Sequence, residues 1–271
     1  MRFQSRSSLI YTFRNLRQLF FVTLPVSVLL AFFYNPRLET DLFVALVSGR
    51  INADNFFGEF SHVFTVLRFG QYWWVVLLSI VALAYTMSVM VVKIDRHMRI
   101  GEMPLLPLKR AFGVFPMMLL YITCSIAVSE VFMLIVVGVV YMLQVVPSPA
   151  AIVAIGFGLS LLVRAFLTYI FCLLIITFPL KYSENYRFNV AMSYSARVMA
   201  QKRNKVILIS IVYPLARYAV MAVAYFIRPF DVVIFAVAIF FVLTYIPCFA
   251  FKQFYDDVGG ERRDVGRKIF N

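Results

Sequence analysis

Six stretches of the sequence stay apolar for about 20 residues or longer, the length an α-helix needs to cross the hydrocarbon core of a bilayer. They cover 16–34, 71–92, 115–145, 150–180, 206–227 and 231–251. A chain with this much continuous apolar surface cannot hide it all from water, so lipid has to act as part of its solvent. Composition agrees: 62% of residues are hydrophobic and 14% are charged, against roughly 45–50% and 25% in an ordinary soluble domain. The expected fold is all-α, a polytopic membrane protein of about six transmembrane helices in three hairpins with interfacial amphipathic helices, forming one integral membrane domain over 1–271. The stretch 16–34 is the shortest and carries Pro25, while 115–145 and 150–180 exceed what a span requires. Their excess predicts tilt or continuation into the interface. No small-residue cleavage pattern follows the first apolar stretch, which leads instead into Asn35-Pro36-Arg37, so it is expected to remain as a membrane helix.

The net charge of +13 does not point to nucleic acid, because Lys and Arg fall in short clusters between apolar stretches and form no continuous basic stripe. Their distribution predicts topology instead. Twenty lie at the N-terminus, in the loops 93–110 and 181–205, and after Phe251, whereas the opposite side has only Arg37, Arg50, Arg68 and Arg228. By the positive-inside rule both termini are expected on the cytoplasmic side of the cell membrane. Trp73 and Trp74 fit an aromatic belt at the outer surface.

The external segment 35–70 repeats Phe56, Phe57, Phe60, Val63, Phe64 and Leu67 at helical spacing, which predicts an amphipathic helix in the outer interface or a lid. Residues 252–271 are expected to form a charged cytoplasmic tail. A basic amphipathic stretch leads into an apolar one three times, at 8–25, 105–121 and 190–214. Duplication of a helical hairpin explains this, and so does the common need of inward helix ends for Lys and Arg. Cys124, Cys172 and Cys248 all lie in apolar stretches without metal-ligand spacing, so no disulfide, metal or other cofactor is expected.

Glu130, Arg164 and Arg217 are ionisable residues in the middle of apolar stretches, where a charge is costly and marks either a register-fixing network or a ligand site. Glu130 and Arg164 are equally far from Pro147, so a helical hairpin puts them at matching depth, roughly 25 Å from the turn at 1.5 Å per residue. Gly156, Ser160, Arg164 and Thr168 recur every four residues, and Glu130 is expected to share a face with Leu134 and Gly138. Small residues allow close approach, and a Glu130–Arg164 pair follows. Arg217 has Ser210, Tyr213 and Pro214 near it, with a carbonyl freed by the proline. The cluster Lys202, Arg203 and Lys205 is the densest candidate for anionic headgroups.

Catalysis finds no support in the sequence. His62 and His97 have no partner at a motif spacing, and Gly259-Gly260 lacks the strand and the following Lys-Ser/Thr of a phosphate loop. His97, within Asp95-Arg96-His97-Met98-Arg99, is expected to be a solvated residue beside the membrane.

The stretch 178–211 has a helix end, then a short amphipathic segment with Ala191, Ser193 and Ser195, then Arg203-Asn204-Lys205 and a new membrane helix; Phe254-Tyr255 follows the last apolar stretch. This pattern resembles the bacterial six-helix membrane proteins related to the membrane domain of glycerophosphoryl diester phosphodiesterases and uncharacterised relatives. The resemblance implies a bacterial membrane protein with no active site of its own, concerned with phospholipids or envelope maintenance. The expected function is non-catalytic assistance of membrane lipid organisation or of a partner complex. Membrane phospholipids are the expected partners, with a protein partner or a second copy of the chain also in view. The alternative is a transporter or channel subunit with its site near Arg164 and Arg217.

Overall fold

The computed structural model describes residues 5–33, 60, 73–143, 149–227 and 230–258, which are helical with short connections and contain no strand. In chain order the helices are α1 (Ser5–Arg14), α2 (Leu16–Phe33), α3 (Trp73–Ile100), α4 (Leu108–Met142), α5 (Pro149–Leu173), α6 (Thr177–Ser183), α7 (Phe188–Ala200), α8 (Arg203–Phe226) and α9 (Asp231–Val258). Five runs are long and apolar enough to cross a membrane: α3, α4, α5 with α6, α8 and α9. This is the architecture of a multi-pass helical membrane protein. The described helix over the first apolar stretch, α2, is shorter than these five. Apart from Phe60, the segment 35–70, expected to be external, lies outside the described residues, as does the chain from 259 onward.

Large apolar side chains face outward along the long helices, among them Leu77 on α3, Leu120 and Val131 on α4, Leu162 on α5 and Leu208 on α8. A sheath of this kind suits lipid and would associate in water. The five long helices pack in a closed order, α3 on α4, α4 on α5, α5 on α8, α8 on α9 and α9 on α3, and α2 packs against both α9 and α3.

Two of the expected helices are interrupted, each at a residue with a chemical reason for it. Asn15 separates α1 from α2, and its side-chain amide donates to the Tyr11 carbonyl at 3.0 Å. Beyond this bend α1 packs along α9. The stretch 150–180 is broken between α5 and α6 because Pro179 has no N–H to donate and its ring crowds the carbonyl four residues back. Ser195 of α7 closes the gap: its hydroxyl donates to the Leu173 carbonyl at 2.7 Å and accepts the Ile176 N–H at 3.2 Å. Ala191, Ser195 and Met199 form the buried face of α7, which packs on α5, α6 and α8.

The three basic lead-in stretches are built differently. The first is the bent pair α1 and α2, the second is the first part of α4 itself after three non-helical residues, and the third is a separate helix, α7, ahead of α8. At the other end of the chain, α9 runs on through Lys252, Gln253, Phe254 and Tyr255, all buried, so the helical core extends seven residues into the expected tail, to Val258.

Ser195→Ala removes the hydroxyl that meets the Leu173 carbonyl and the Ile176 N–H and is expected to cost about 1–3 kcal/mol, the usual penalty for buried polar groups left unmatched. Ser193→Ala, on the exposed side of the same helix, should stay within about 0.5 kcal/mol. Thermal melting of the two variants in detergent checks the contrast; equal melting temperatures would mean that the break does not depend on Ser195.

Candidate functional site

Each of the three intramembrane charges lies on the inward seam of its helix. On α4 the buried side is Ile122, Glu130, Met133, Val136, Val137 and Val140, a spacing of three and four that keeps one face toward its neighbours. Glu130 is 3% exposed. On α5 the buried positions Ile152, Gly156, Ser160 and Leu167 flank the half-buried Arg164. On α8 Val206, Ser210, Pro214, Met221 and Ala224 are buried, and the half-buried Arg217 falls in the same row.

Side-chain contacts set the register between these helices. Phe132 of α4 meets Phe166 of α5 with ring centroids 5.7 Å apart, and a Cβ built on Gly156 would come within 3.2 Å of Val140. The two helices therefore run antiparallel, with Glu130 level with positions 166–168. On the other side of α5, Ser160 Oγ lies 3.4 Å from the Tyr218 hydroxyl, which sets Arg217 level with about position 161. Glu130, Arg164 and Arg217 thus fall within about 9 Å along the axis of three consecutively packed helices, at 1.5 Å per residue.

The small residues act differently from the expectation. Leu134 and Gly138 are exposed, and a Cβ at Gly138 meets nothing within 4 Å. The inward row of α4 turns with the helix from Glu130 to Met133 and Val137, because 3.6 residues per turn carries a strict i+4 row off the contact line. Close approach occurs at Gly156, where a Cβ would sit 3.1 Å from Phe60 as well as beside Val140. Tyr213, expected next to Arg217, is exposed, and Tyr218 lies in the contact with α5 instead.

A second polar cluster joins the basic ends of the helices. Asp95, buried on α3, accepts hydrogen bonds from the Ser183 hydroxyl of α6 at 2.6 Å and the Tyr255 hydroxyl of α9 at 3.1 Å. Arg99 lies 3.6 Å from the same carboxylate oxygen and donates to the Ser183 carbonyl at 3.1 Å. Two residues earlier on α3, Lys93 is 2% exposed and donates to the carbonyls of Gln18 at 2.9 Å and Leu105 at 3.0 Å. His97 is not the solvated residue expected: it is half-buried, with Nδ1 2.8 Å from the Tyr11 hydroxyl of α1. The sequence carried a local signal for this cluster, in Lys93 and Asp95 placed directly after the apolar run of α3, but its partners lie far along the chain.

Lys202, Arg203 and Lys205 occupy the turn from α7 into α8, with Lys202 as N-cap and no acidic residue in the first helical turn. Cations there oppose the helix dipole, so this end of α8 concentrates positive potential. Next to it α7 exposes Phe188, Val190, Tyr194 and Arg197, with Arg187 exposed at its N-cap, the mixture of an interfacial helix.

Compared with known proteins, the chain matches no family model, no curated protein and no solved structure.

The shared depth of Glu130 and Arg164 makes their pairing testable. Glu130→Gln is expected to lower the melting temperature in detergent by an amount equivalent to about 3 kcal/mol, the scale for breaking a buried ion pair from one side. An unchanged melting temperature would sink the pair.

Proposed function

We propose that this chain is a non-catalytic integral membrane protein that holds anionic phospholipid at its basic end and assists membrane lipid organisation or a partner complex in the bacterial envelope. In this reading the chain crosses the cytoplasmic membrane six times, with α2 in the first pass, and both termini lie on the cytoplasmic side. The observation that carries it is the arrangement of α7 against the start of α8: an amphipathic helix with exposed Phe188, Val190 and Tyr194 beside Lys202, Arg203 and Lys205. An interfacial helix of this composition inserts its apolar face at the level of the headgroups. Each Lys or Arg near an anionic surface adds about 1 kcal/mol of attraction. The resemblance of 178–211 to membrane domains linked with phospholipid chemistry favours the same reading.

Native mass spectrometry of the gently extracted protein tests it. The expected result is a retained anionic phospholipid, lost when Lys202, Arg203 and Lys205 are changed together to Gln, a combined loss of about 3 kcal/mol. A bare chain, with neither lipid nor protein partner, would overturn the proposal.

A second reading, a transporter or channel subunit, is favoured by one observation: Glu130, Arg164 and Arg217 all lie on inward seams at one depth. Water access decides between the two. In a transporter, a cysteine placed at Leu161 or Thr168, next to Arg164, should react with a small hydrophilic thiol reagent, and in a sealed bundle it should stay unmodified.

A further inference from the structure

We propose that the connection from α3 to α4, with Leu105 and Leu106 at its tip, is a rigid apolar wedge seated in the lipid of the leaflet at the basic end, and that buried Lys93 is the clamp that holds it there. The wedge belongs to α3 and α4, whereas Lys202, Arg203 and Lys205 belong to the turn from α7 into α8. It does not depend on lipid binding at that turn.

Leu105 is 90% exposed and Leu106 64%, yet the backbone that carries them is held from within. Gly101, with φ 88°, ends α3 in the left-handed conformation that glycine adopts without strain, and its N–H donates to the His97 carbonyl at 2.8 Å. Met103 is half-buried and packs against the core around α3. The Leu105 carbonyl accepts from the Lys93 ammonium at 3.0 Å, and the same ammonium reaches the Gln18 carbonyl of α2 at 2.9 Å. The two leucines therefore project from a backbone tied to two helices.

Depth, continuity and backbone chemistry identify lipid as what the wedge meets. About 20 residues of helix cross a hydrocarbon core, and that count from Trp73, at the opposite end of α3, arrives at Lys93. The carbonyl that Lys93 holds, and Leu105 with it, thus sit where acyl chains give way to headgroups. Leu108, Phe112, Pro116 and Leu120 are exposed at successive turns of α4, so the outward stripe runs from the wedge into the span without a polar break, and Phe112 lies against Tyr85 of α3 with ring centroids 5.7 Å apart. Irregular backbone survives near hydrocarbon only where its polar groups are met. Pro104 and Pro107 bring no N–H, the Leu105 carbonyl is taken by Lys93, and the Leu106 carbonyl accepts the Leu108 N–H at 2.9 Å. Lys109 and Arg110, exposed directly behind the leucines, have the length to reach anionic headgroups while their stems stay in apolar surroundings. The wedge adds apolar bulk to one leaflet alone, and interfacial insertion of that kind responds to curvature and lipid composition.

The test uses the full chain, its three cysteines changed to Ala, in vesicles of phosphatidylethanolamine and phosphatidylglycerol. A nitroxide is attached to a single cysteine placed at Leu105, Leu106 or, as a control in the exposed connection from α6 to α7, Glu184. Collisions with oxygen, which concentrates in lipid, and with a water-soluble nickel chelate report where each label lies. Labels at Leu105 and Leu106 should favour oxygen and the label at Glu184 the chelate, and this contrast should persist when Lys202, Arg203 and Lys205 are all changed to Gln. Lys93→Met, which keeps the bulk of the clamp and removes its donors, should make the label at Leu105 mobile and open it to the chelate while leaving the label at Glu184 unchanged. A label at Leu105 that favours the chelate with Lys93 intact overturns the proposal and leaves the leucines to an aqueous partner. A label shielded from both reagents overturns it as well, since another part of the chain or a second copy then covers the site. A Lys93→Met chain whose Leu105 label keeps its depth and immobility overturns the clamp.

Discussion

One carboxylate oxygen of Asp95 holds the basic end of the bundle together. It receives a hydroxyl from α6 and another from α9 while belonging to α3 itself, and Lys93 two residues earlier reaches the carbonyls of Gln18 and Leu105. Apolar contact between lipid-immersed helices gives little preference for one rotation over another, since hydrocarbon tails are as apolar as leucine. Directional bonds to a buried acid and a buried ammonium do give one. The rotation of α3 sets how α4 packs on it, and through α4 and α5 that choice reaches the seams on which Glu130, Arg164 and Arg217 lie.

The long apolar helices were legible in the sequence because span length and hydropathy are local properties, readable without knowing any contact. The common depth of Glu130 and Arg164 was legible for a similar reason, since a hairpin of two straight helices links position to depth by a fixed rise. What stayed hidden depended on contacts distant in sequence. His97 looked solvated because its partner Tyr11 is 86 positions away, and Tyr255 meets Asp95 across 160 positions. Gly138 and Gly156 are indistinguishable as letters, yet only Gly156 faces Phe60 and Val140 at close range. The break after α5 had a signal in Pro179, but hydropathy averages over a single proline and reads straight through it.

The two polar layers are built on different chemistry. At the basic end, acid and base are matched with hydroxyls and backbone carbonyls, and the arrangement reads as a joint. At mid-depth, Glu130, Arg164 and Arg217 lie on three helices packed in succession, where ionisable groups are costly unless they are partnered.

The seam at Ser195 also bears on how the chain is made. The two backbone groups that it joins, at Leu173 and Ile176, precede it by 22 and 19 positions. At a synthesis rate of about 5–20 residues per second, they emerge one to a few seconds before the residue that joins them. Until α7 arrives and docks, the fourth long apolar run is two helices with an open joint, and Ser183 has no fixed angle from which to reach Asp95. Completion of the basic end therefore waits on a short surface helix made well after the span it repairs, which makes the assembly of this bundle sequential rather than span by span.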